Sequence, residues 1–378
     1  MEKILIAFPL IFILTIMKPF TGVHGKDDLH KQQEVQTDGP YVLYSPGKVS
    51  VSYIMENSEA KLVKTDTFSL QNIADVSLKV MTDIPGKEFE VRLKKKLKSE
   101  KCEFPKVKKL LALSDIEGNF GAFRKLLLAA KVIDESLNWT FGNGHLVLVG
   151  DFFDRGQQVT EILWLIYYLE EKAKAAGGYV HFILGNHEIM NLSGDLRYTD
   201  QKYLNNAKLL NRSYVSLYDE SSELGRWLRT KKITEKIGDL LFTHGGISAR
   251  VNDLNISIDE INSLARPYYS DSTLNYKDER SAILVGDDGP FWYRGYYEKN
   301  KPNIPLLIDD ILSRYDLNHI ITGHTIVADT ISLWYKGKLL DIDVHHTAGK
   351  SEALLIDDGK YYRVNQGGEK ILLFTESR

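Results

Sequence analysis

The segment LVLVGDFFDRG, residues 146–156, gives the clearest single indication of the fold of this chain. It begins with Leu146–Val149, a short run of Leu and Val that is typical of a strand buried on both faces. A polar cluster follows directly, with Asp151, Asp154 and Arg155 standing between two glycines. Because ligand sites of α/β sheets gather at the carboxyl ends of strands, the segment predicts a functional site at one such end.

The same arrangement recurs before and after this segment. Further apolar runs that predict strands are Val107–Leu113, Tyr179–Leu184, Leu240–Phe242 and Ile320–Ile321. The polar clusters that follow them are Ser114-Asp115-Ile116-Glu117-Gly118-Asn119, Gly185-Asn186-His187-Glu188, Thr243-His244-Gly245-Gly246 and Thr322-Gly323-His324-Thr325. Helical spacing in Phe123–Ile133 and Thr160–Ala176 predicts helices between strands, and hence an α/β core. We therefore expect the five clusters to meet at one edge of the sheet.

These clusters share one chemistry. Carboxylate, amide and imidazole ligands suit Mn, Zn or Fe, and a set without thiolates argues against a structural zinc site. Two such ions about 3.5–4 Å apart can polarise a phosphoryl group and activate water, with Asp151 as the candidate bridging ligand. Taken singly, the clusters have ordinary explanations: Asp115 as a helix N-cap, Asp154 and Arg155 as a surface ion pair, Asn186 as a turn residue. The specific signal is the whole set in this order.

The set Gly150-Asp151-x-x-Asp154-Arg155-Gly156, Gly185-Asn186-His187-Glu188, His244-Gly245-Gly246 and Gly323-His324 resembles the calcineurin-like metallophosphoesterases. Asp154-Arg155-Gly156 is typical of their phosphoprotein phosphatase branch, and the segment 289–295, GPFWYRG, is similar to one in Shewanella-like phosphatases. The resemblance covers residues 106–344. It implies a four-layer α/β/β/α sandwich, to which this chain adds an N-terminal β-rich extension.

The resemblance also implies roles for individual residues. The first metal ion would be held by Asp115, Glu117 and Asp151, and the second by Asp151, Asn186, His244 and His324. The residues that would contact the phosphate are Arg155, Arg294, Asn186 and His187. His187 would also protonate the leaving oxygen, with Asp154 orienting its ring. Hydroxide held by two divalent ions, Mn first and Fe or Zn as alternatives, would attack directly, without a covalent phosphoenzyme.

One position departs from the family. Glu117 stands where the family usually has His, which adds a negative charge beside Asp115 and Asp151. A carboxylate can still bind a metal ion, so the first site is either retuned towards a harder ion or weakened. We expect retuning, because every other matched motif position is intact. His345 and His346 follow a predicted strand, 339–344, and are further candidates for contact with the metal centre or the substrate.

The sequence predicts a modular organisation. Lys3 and the apolar run Ile4–Met17 are typical of a signal peptide, residues 1–25, which predicts a periplasmic or secreted protein, with an uncleaved anchor as the alternative. Residues 26–105 are expected to form a linker and a β-rich extension, and residues 106–378 the catalytic domain. Residues 191–236 within it are expected to form a cap insertion. With Cys102 as the single cysteine, no intramolecular disulfide can form.

The leading functional hypothesis is a phosphomonoesterase, with phosphoproteins or small phosphate esters as substrates. A nucleotide or polyphosphate hydrolase, or a phosphodiesterase, on the same core is the first alternative. A metal-binding pseudo-enzyme that serves as an interaction module is the second, motivated by Glu117 alone. The net charge of −3 gives no indication of nucleic acid as a partner, nor of a membrane surface once the signal is removed.

Overall fold

The computed structural model describes residues 34–99, 101–273, 275–298 and 302–376. They belong to one compact unit that extends from Glu34 onward. The predicted signal peptide and the first part of the predicted linker lie outside the described residues, so export stays a prediction. In the described part of the chain, no helix has the length and apolar character needed to cross a membrane.

Strands and helices alternate along the catalytic region. The strands are β1 Val35–Ser45, β2 Lys48–Glu56, β3 Lys61–Ser69, β4 Ser77–Met81, β5 Glu88–Arg92, β6 Glu103–Phe104, β7 Lys109–Leu113, β8 His145–Val149, β9 Tyr179–Ile183, β10 Thr234–Ile237, β11 Leu240–Thr243, β12 His319–Thr322, β13 Ser332–Trp334, β14 Leu339–Asp341, β15 Glu352–Asp357, β16 Lys360–Asn365 and β17 Lys370–Thr375. The α-helices are α1 Phe120–Ala129, α2 Val159–Ala175, α3 Asn186–Ser193, α4 Gln201–Leu209, α5 Glu223–Leu228, α6 Ala249–Asp253, α7 Ile258–Ala265, α8 Glu279–Val285 and α9 Ile304–Tyr315.

Two six-stranded sheets form the centre of the fold, in the orders β17-β16-β15-β7-β8-β9 and β13-β14-β12-β11-β10-β6. Successive residues of the central strands enter different cores. Leu110 and Ala112 pack between the sheets, whereas Leu111 and Leu113 pack on the helical side. A strand covered on both faces needs apolar residues throughout, which explains the uninterrupted runs in the sequence. The predicted α/β sandwich is confirmed.

The C-terminal strands correct one expectation. The tail from Lys336 onward is β-like in sequence, which predicts that it closes the second sheet of the sandwich, and the structure divides it between the two sheets. Of its strands, β14 joins the sheet of β12, whereas β15, β16 and β17 extend the sheet of β7, where β15 pairs antiparallel with β7 and Leu354 lies opposite Ala112. Period-2 alternation identifies a strand but not its neighbour, because the partner is chosen by chain connections and long-range packing.

The N-terminal extension is β-rich, as its alternating pattern predicted. Strands β1–β3 form one antiparallel sheet and β4–β5 a hairpin. Val42 and Val51 belong to the same apolar core as helix α2, and Trp164 Nε1 donates to the carbonyl of Pro40 at 2.9 Å. The domain boundary at residues 105 and 106 stays a prediction.

Candidate metal and phosphate site

The strand ends bring the predicted clusters to one cavity of about 290 Å³. Its wall includes, from the predicted set, Asp115, Glu117, Asp151, Arg155, His187, Arg294 and His324. Asn186 and His244 lie buried behind Asp151, within hydrogen-bond distance of one another. Asp343, His345 and His346 complete the wall on the side of β14. The five separate segments therefore form one site.

The backbone of the site is strained. Asp115, Asp151, Asp154 and His324 have positive φ values of 53°, 61°, 68° and 69°, a region that residues other than glycine rarely occupy. Such strain is retained where the surrounding structure holds it and function uses it. Gly185 lets its backbone approach the side chain of Asp151 closely, because a Cβ at this position would lie 2.2 Å from Asp151 Oδ1. The glycines of the motifs thus permit the ligand side chains to converge.

The two histidines predicted to bind the second metal ion each use one ring nitrogen for a backbone carbonyl, which leaves the other nitrogen for the site. His244 donates Nδ1–H to the Val149 carbonyl at 2.7 Å, so its Nε2 faces Asp151 Oδ2 at 3.1 Å and Asn186 Oδ1 at 3.0 Å. His324 Nε2 lies 3.1 Å from the Trp292 carbonyl, which directs Nδ1 to the site. The distances from His244 Nε2 to Asp151 Oδ2 and Asn186 Oδ1 are those expected between atoms that each lie about 2.0–2.2 Å from one ion. Backbone carbonyls that orient metal-binding histidines are a usual second layer of support.

The charge balance of the site also fits divalent cations. Burial raises the pKa of Asp115 to about 6, and burial together with the charge of Asp115 raises that of Glu117 to about 8. Burial opposes the charge of Asp151 too, yet His244 and His187 hold its pKa well below the usual range. Buried carboxylates in this number need positive charge to ionise together. Asp115, Glu117 and Asp151 therefore fit a first divalent ion, beside the second.

Glu117 contacts the predicted phosphate clamp. Its Oε1 lies 3.0 Å from Nε of Arg155. One oxygen of the same carboxylate also lies within 4.8 Å of a ligand atom of Asp151 and of a ring nitrogen of His187. Arg155 is half-exposed, and its guanidinium lies 5.5 Å from the ring of Tyr198. One carboxylate thus faces both the metal site and the arginine, which a histidine at position 117 could not do.

His187 and Asp154 form a buried pair. His187 Nδ1 lies 2.7 Å from Asp154 Oδ2, which leaves Nε2 on the side of the cavity, 3.7 Å from Asp151 Oδ2. Burial lowers the pKa of His187, but the charge of Asp151 and the hydrogen bond to Asp154 outweigh it and raise the pKa to about 9. The arrangement favours an imidazole that holds a proton, as a general acid requires. The alternative of a surface ion pair for Asp154 and Arg155 is wrong, because Asp154 is 2% exposed.

Arg294 stands at the opposite wall. Its Nη1 donates to the His324 carbonyl and to Thr325 Oγ1, the latter at 3.1 Å. Nη2 lies 3.4 Å from His324 Nδ1, so the guanidinium borders the second metal site. His345 is exposed, whereas His346 is buried and its Nε2 donates to the Ser114 carbonyl at 2.9 Å.

Several residues of the site had no signal in the sequence. The segment 191–236 contributes Asn191 and Thr199, which donate to Asp154 Oδ1 at 2.8 and 3.0 Å. Tyr198 lies beside His187, with ring centroids 5.2 Å apart. Polar residues of an insertion carry no fixed spacing to the motifs, so only the fold identifies them.

The N-cap of helix α1 is Asn119 rather than Asp115, because Asn119 Oδ1 accepts from the amide of Ala122.

Glu188 holds two of the motifs together. Its buried carboxylate accepts the amides of Asp151, Phe152 and Gly185 at 2.9, 2.7 and 2.7 Å. Glu188→Ala would leave these donors unsatisfied at about 1–3 kcal/mol each, so we expect a loss of about 3–5 kcal/mol in the free energy of unfolding. Urea denaturation would measure it, with Glu188→Gln, which keeps an acceptor, showing a smaller loss. An unchanged urea midpoint for Glu188→Ala would contradict this assignment.

Comparison with known proteins gives concordant matches. The model of the family described as calcineurin-like phosphoesterase matches residues 108–328. Shewanella-like protein phosphatase 1 of Plasmodium berghei is 31% identical over 228 residues, 57% of this chain and 61% of that protein. Shewanella-like protein phosphatase 2 of Arabidopsis thaliana is 25% identical over 297 residues, 66% of this chain and 74% of that protein. This chain therefore spans less than two thirds of the Plasmodium relative.

A solved structure matches over nearly its whole length. It is the cold-active protein-tyrosine phosphatase of a psychrophilic Shewanella species, with a TM-score of 0.80 and 35% sequence identity. The match covers 89% of this chain and 99% of that one, and so extends beyond the residues of the family model.

Proposed function

The chain belongs to the calcineurin-like phosphoesterase family, and we propose that it hydrolyses phosphate monoesters on proteins. The family that the motifs resemble is therefore confirmed. The chain is a metallophosphoesterase, a hydrolase of phosphate esters. The observation that carries the finer proposal is the buried His187–Asp154 pair beside Arg155. A terminal phosphate offers oxygens for a guanidinium and a leaving oxygen for an acid.

Each residue has a task on the substrate. Arg155 and Arg294, on the walls of the cavity, would bind the non-bridging phosphate oxygens, for which a planar fork of donors is suited. His187 would give its Nε2 proton to the leaving oxygen, while Asp154 fixes the ring through Nδ1. A pseudo-enzyme would have no use for this acid, and the pair therefore favours catalysis.

Two divalent ions would complete the chemistry. The residues that would hold them are Asp115, Glu117, Asp151, Asn186, His244 and His324, and the ions would supply Lewis-acid charge to the phosphoryl group and lower the pKa of water. We propose Mn²⁺ as the ion of this chain. The support is the share of carboxylate oxygens among the predicted ligands, since oxygen donors suit Mn²⁺ better than they suit softer ions.

Protein phosphate as the substrate has two supports. The relatives in Plasmodium and Arabidopsis and the Shewanella structure all carry names of protein phosphatases. In addition, Arg155 and Tyr198 are partly exposed at the cavity, where a phosphorylated side chain of another protein can reach them. A nucleotide or polyphosphate chain would need further positive charge along its length. On the cavity wall, Arg155 and Arg294 are both assigned to a single phosphate group, which favours a monoester.

The test is a substrate comparison with the full chain. Phosphotyrosine and phosphoserine peptides, an aryl phosphate, a dinucleoside tetraphosphate and a bis-aryl phosphodiester would be assayed with Mn²⁺ and after chelation. We expect metal-dependent turnover, with kcat/KM for a phosphopeptide at least about tenfold above that for the dinucleotide and the diester, a difference of ~1.4 kcal/mol. Preference for the dinucleotide or the diester would replace the proposal with that activity.

A further inference from the structure

We propose that Asp343 is an additional ligand of the first metal ion, which gives this chain a first metal site built from carboxylates alone. The inference rests on the metal centre of the proposed function and adds to it a residue outside every motif that the sequence singled out. Asp343 lies on the segment that follows β14, after Asp341 and Ile342.

The segment is tied to the site on both sides. The amide of Ile342 donates to the Thr322 carbonyl at 2.9 Å, directly before Gly323 and His324. His346 Nε2 donates to the Ser114 carbonyl at 2.9 Å, directly before Asp115. Asp343 is thus placed between the strand end that carries Asp115 and the one that carries His324. Its position depends on the backbone of the metal-binding segments and not on a mobile loop.

The side chain of Asp343 lacks a partner that would explain its burial. It is 3% exposed, and its Oδ1 is buried without a hydrogen-bond partner among the described residues. It lines the same cavity as Asp115, Glu117 and Asp151. A buried carboxylate oxygen without a donor costs several kcal/mol, and a divalent cation removes that cost by direct coordination. This orphaned oxygen is the observation that points to the ion.

The neighbouring Asp341 shows what a structural aspartate looks like here. Its Oδ1 accepts the amide of Asp343 at 3.1 Å, and its Oδ2 accepts from Ser332 Oγ at 3.5 Å. It is buried in the second sheet and is not part of the cavity wall. Asp341 and Asp343 therefore have the same side chain and similar burial but different surroundings, which makes Asp341 a matched control.

The addition of Asp343 also accounts for Glu117. One oxygen of Glu117 contacts Arg155, which leaves the other oxygen for an ion without competition from the arginine. With Asp115, Asp151 and Asp343, the first ion would still have a full set of carboxylate ligands and no imidazole. Such a set is harder than one with histidine and favours Mn²⁺ or Mg²⁺ over Zn²⁺.

The experiment compares Asp343→Asn with Asp341→Asn in the full chain. Metal-free protein would be titrated with Mn²⁺ by calorimetry, and bound metal per chain would be counted after desalting. We expect wild type and Asp341→Asn to bind two ions, and Asp343→Asn to lose about 100-fold in affinity for one of them. Melting of the metal-free protein should be unaffected or raised by Asp343→Asn, while the rise in Tm on adding Mn²⁺ should shrink.

The outcomes separate this inference from the proposed function. Two ions bound by Asp343→Asn with wild-type affinity would overturn the ligand role and leave the metal centre intact. Equal losses in both variants would also overturn it, since they would reflect the removal of a nearby charge. Wild-type protein that binds no ions would refute the metal centre itself.

Discussion

Asp151→Asn is expected to reduce phosphatase turnover about 10³-fold or more and to lower the metal content of the protein. Asp151 is the one residue assigned to both ions, and its carboxylate also accepts the His187 amide at 2.9 Å. An asparagine offers one neutral oxygen in place of two charged ones and cannot bridge equally well. Lewis-acid stabilisation is worth several kcal/mol, and each ~1.4 kcal/mol is a factor of ten in rate.

The measurement pairs turnover of an aryl phosphate with metal counting on the same preparations. Asp357→Asn, an exposed aspartate at the end of β15, serves as the control for the removal of one charge. If Asp151→Asn kept two ions per chain and wild-type turnover, Asp151 would not be the bridging ligand. Because Asp151 is 2% exposed, a thermal melt must accompany the assay to separate lost metal from lost fold.

His187→Ala is expected to slow hydrolysis of alkyl phosphates by about 10²–10⁴-fold while the two ions remain bound. The assignment depends on the Nδ1 bond to Asp154, which holds Nε2 on the side of the cavity. A poor leaving group needs a proton in the transition state, whereas a nitrophenolate departs without one. The loss should therefore be much smaller for an activated aryl phosphate.

A series of aryl and alkyl phosphates would measure this difference as the slope of log kcat/KM against the pKa of the leaving alcohol. The slope should become steeper in His187→Ala than in wild type. Parallel lines for the two proteins would exclude the role of general acid, and loss of metal in the variant would indicate that His187 acts through the metal site. Wild-type rates on alkyl phosphates would likewise exclude it.

Much of the fold and site could be predicted from local sequence, for a physical reason. Strands buried on both faces must be apolar throughout, so Leu146–Val149 was recognisable without any knowledge of its neighbours. The residues that follow such strands must lie at the carboxyl edge of the sheet. This rule predicted that Asp151, Asn186 and His244 lie close together, as the structure shows. Most strand bounds differ from the predicted ones by one or two residues, as at Lys109–Leu113, whereas β14 ends at Asp341 and not at the predicted residue 344.

The sequence alone therefore predicted the α/β sandwich, the family and the motif residues that gather at the cavity. Three features emerged from the three-dimensional packing: which strand lies beside β7, which polar residues of 191–236 reach Asp154, and the contact of Glu117 with Arg155. The packing also placed Asp343, which belongs to none of the motifs, at the cavity. The physical reason is that periodicity and spacing report local geometry and burial, whereas these contacts join residues distant in sequence through packing and chain path.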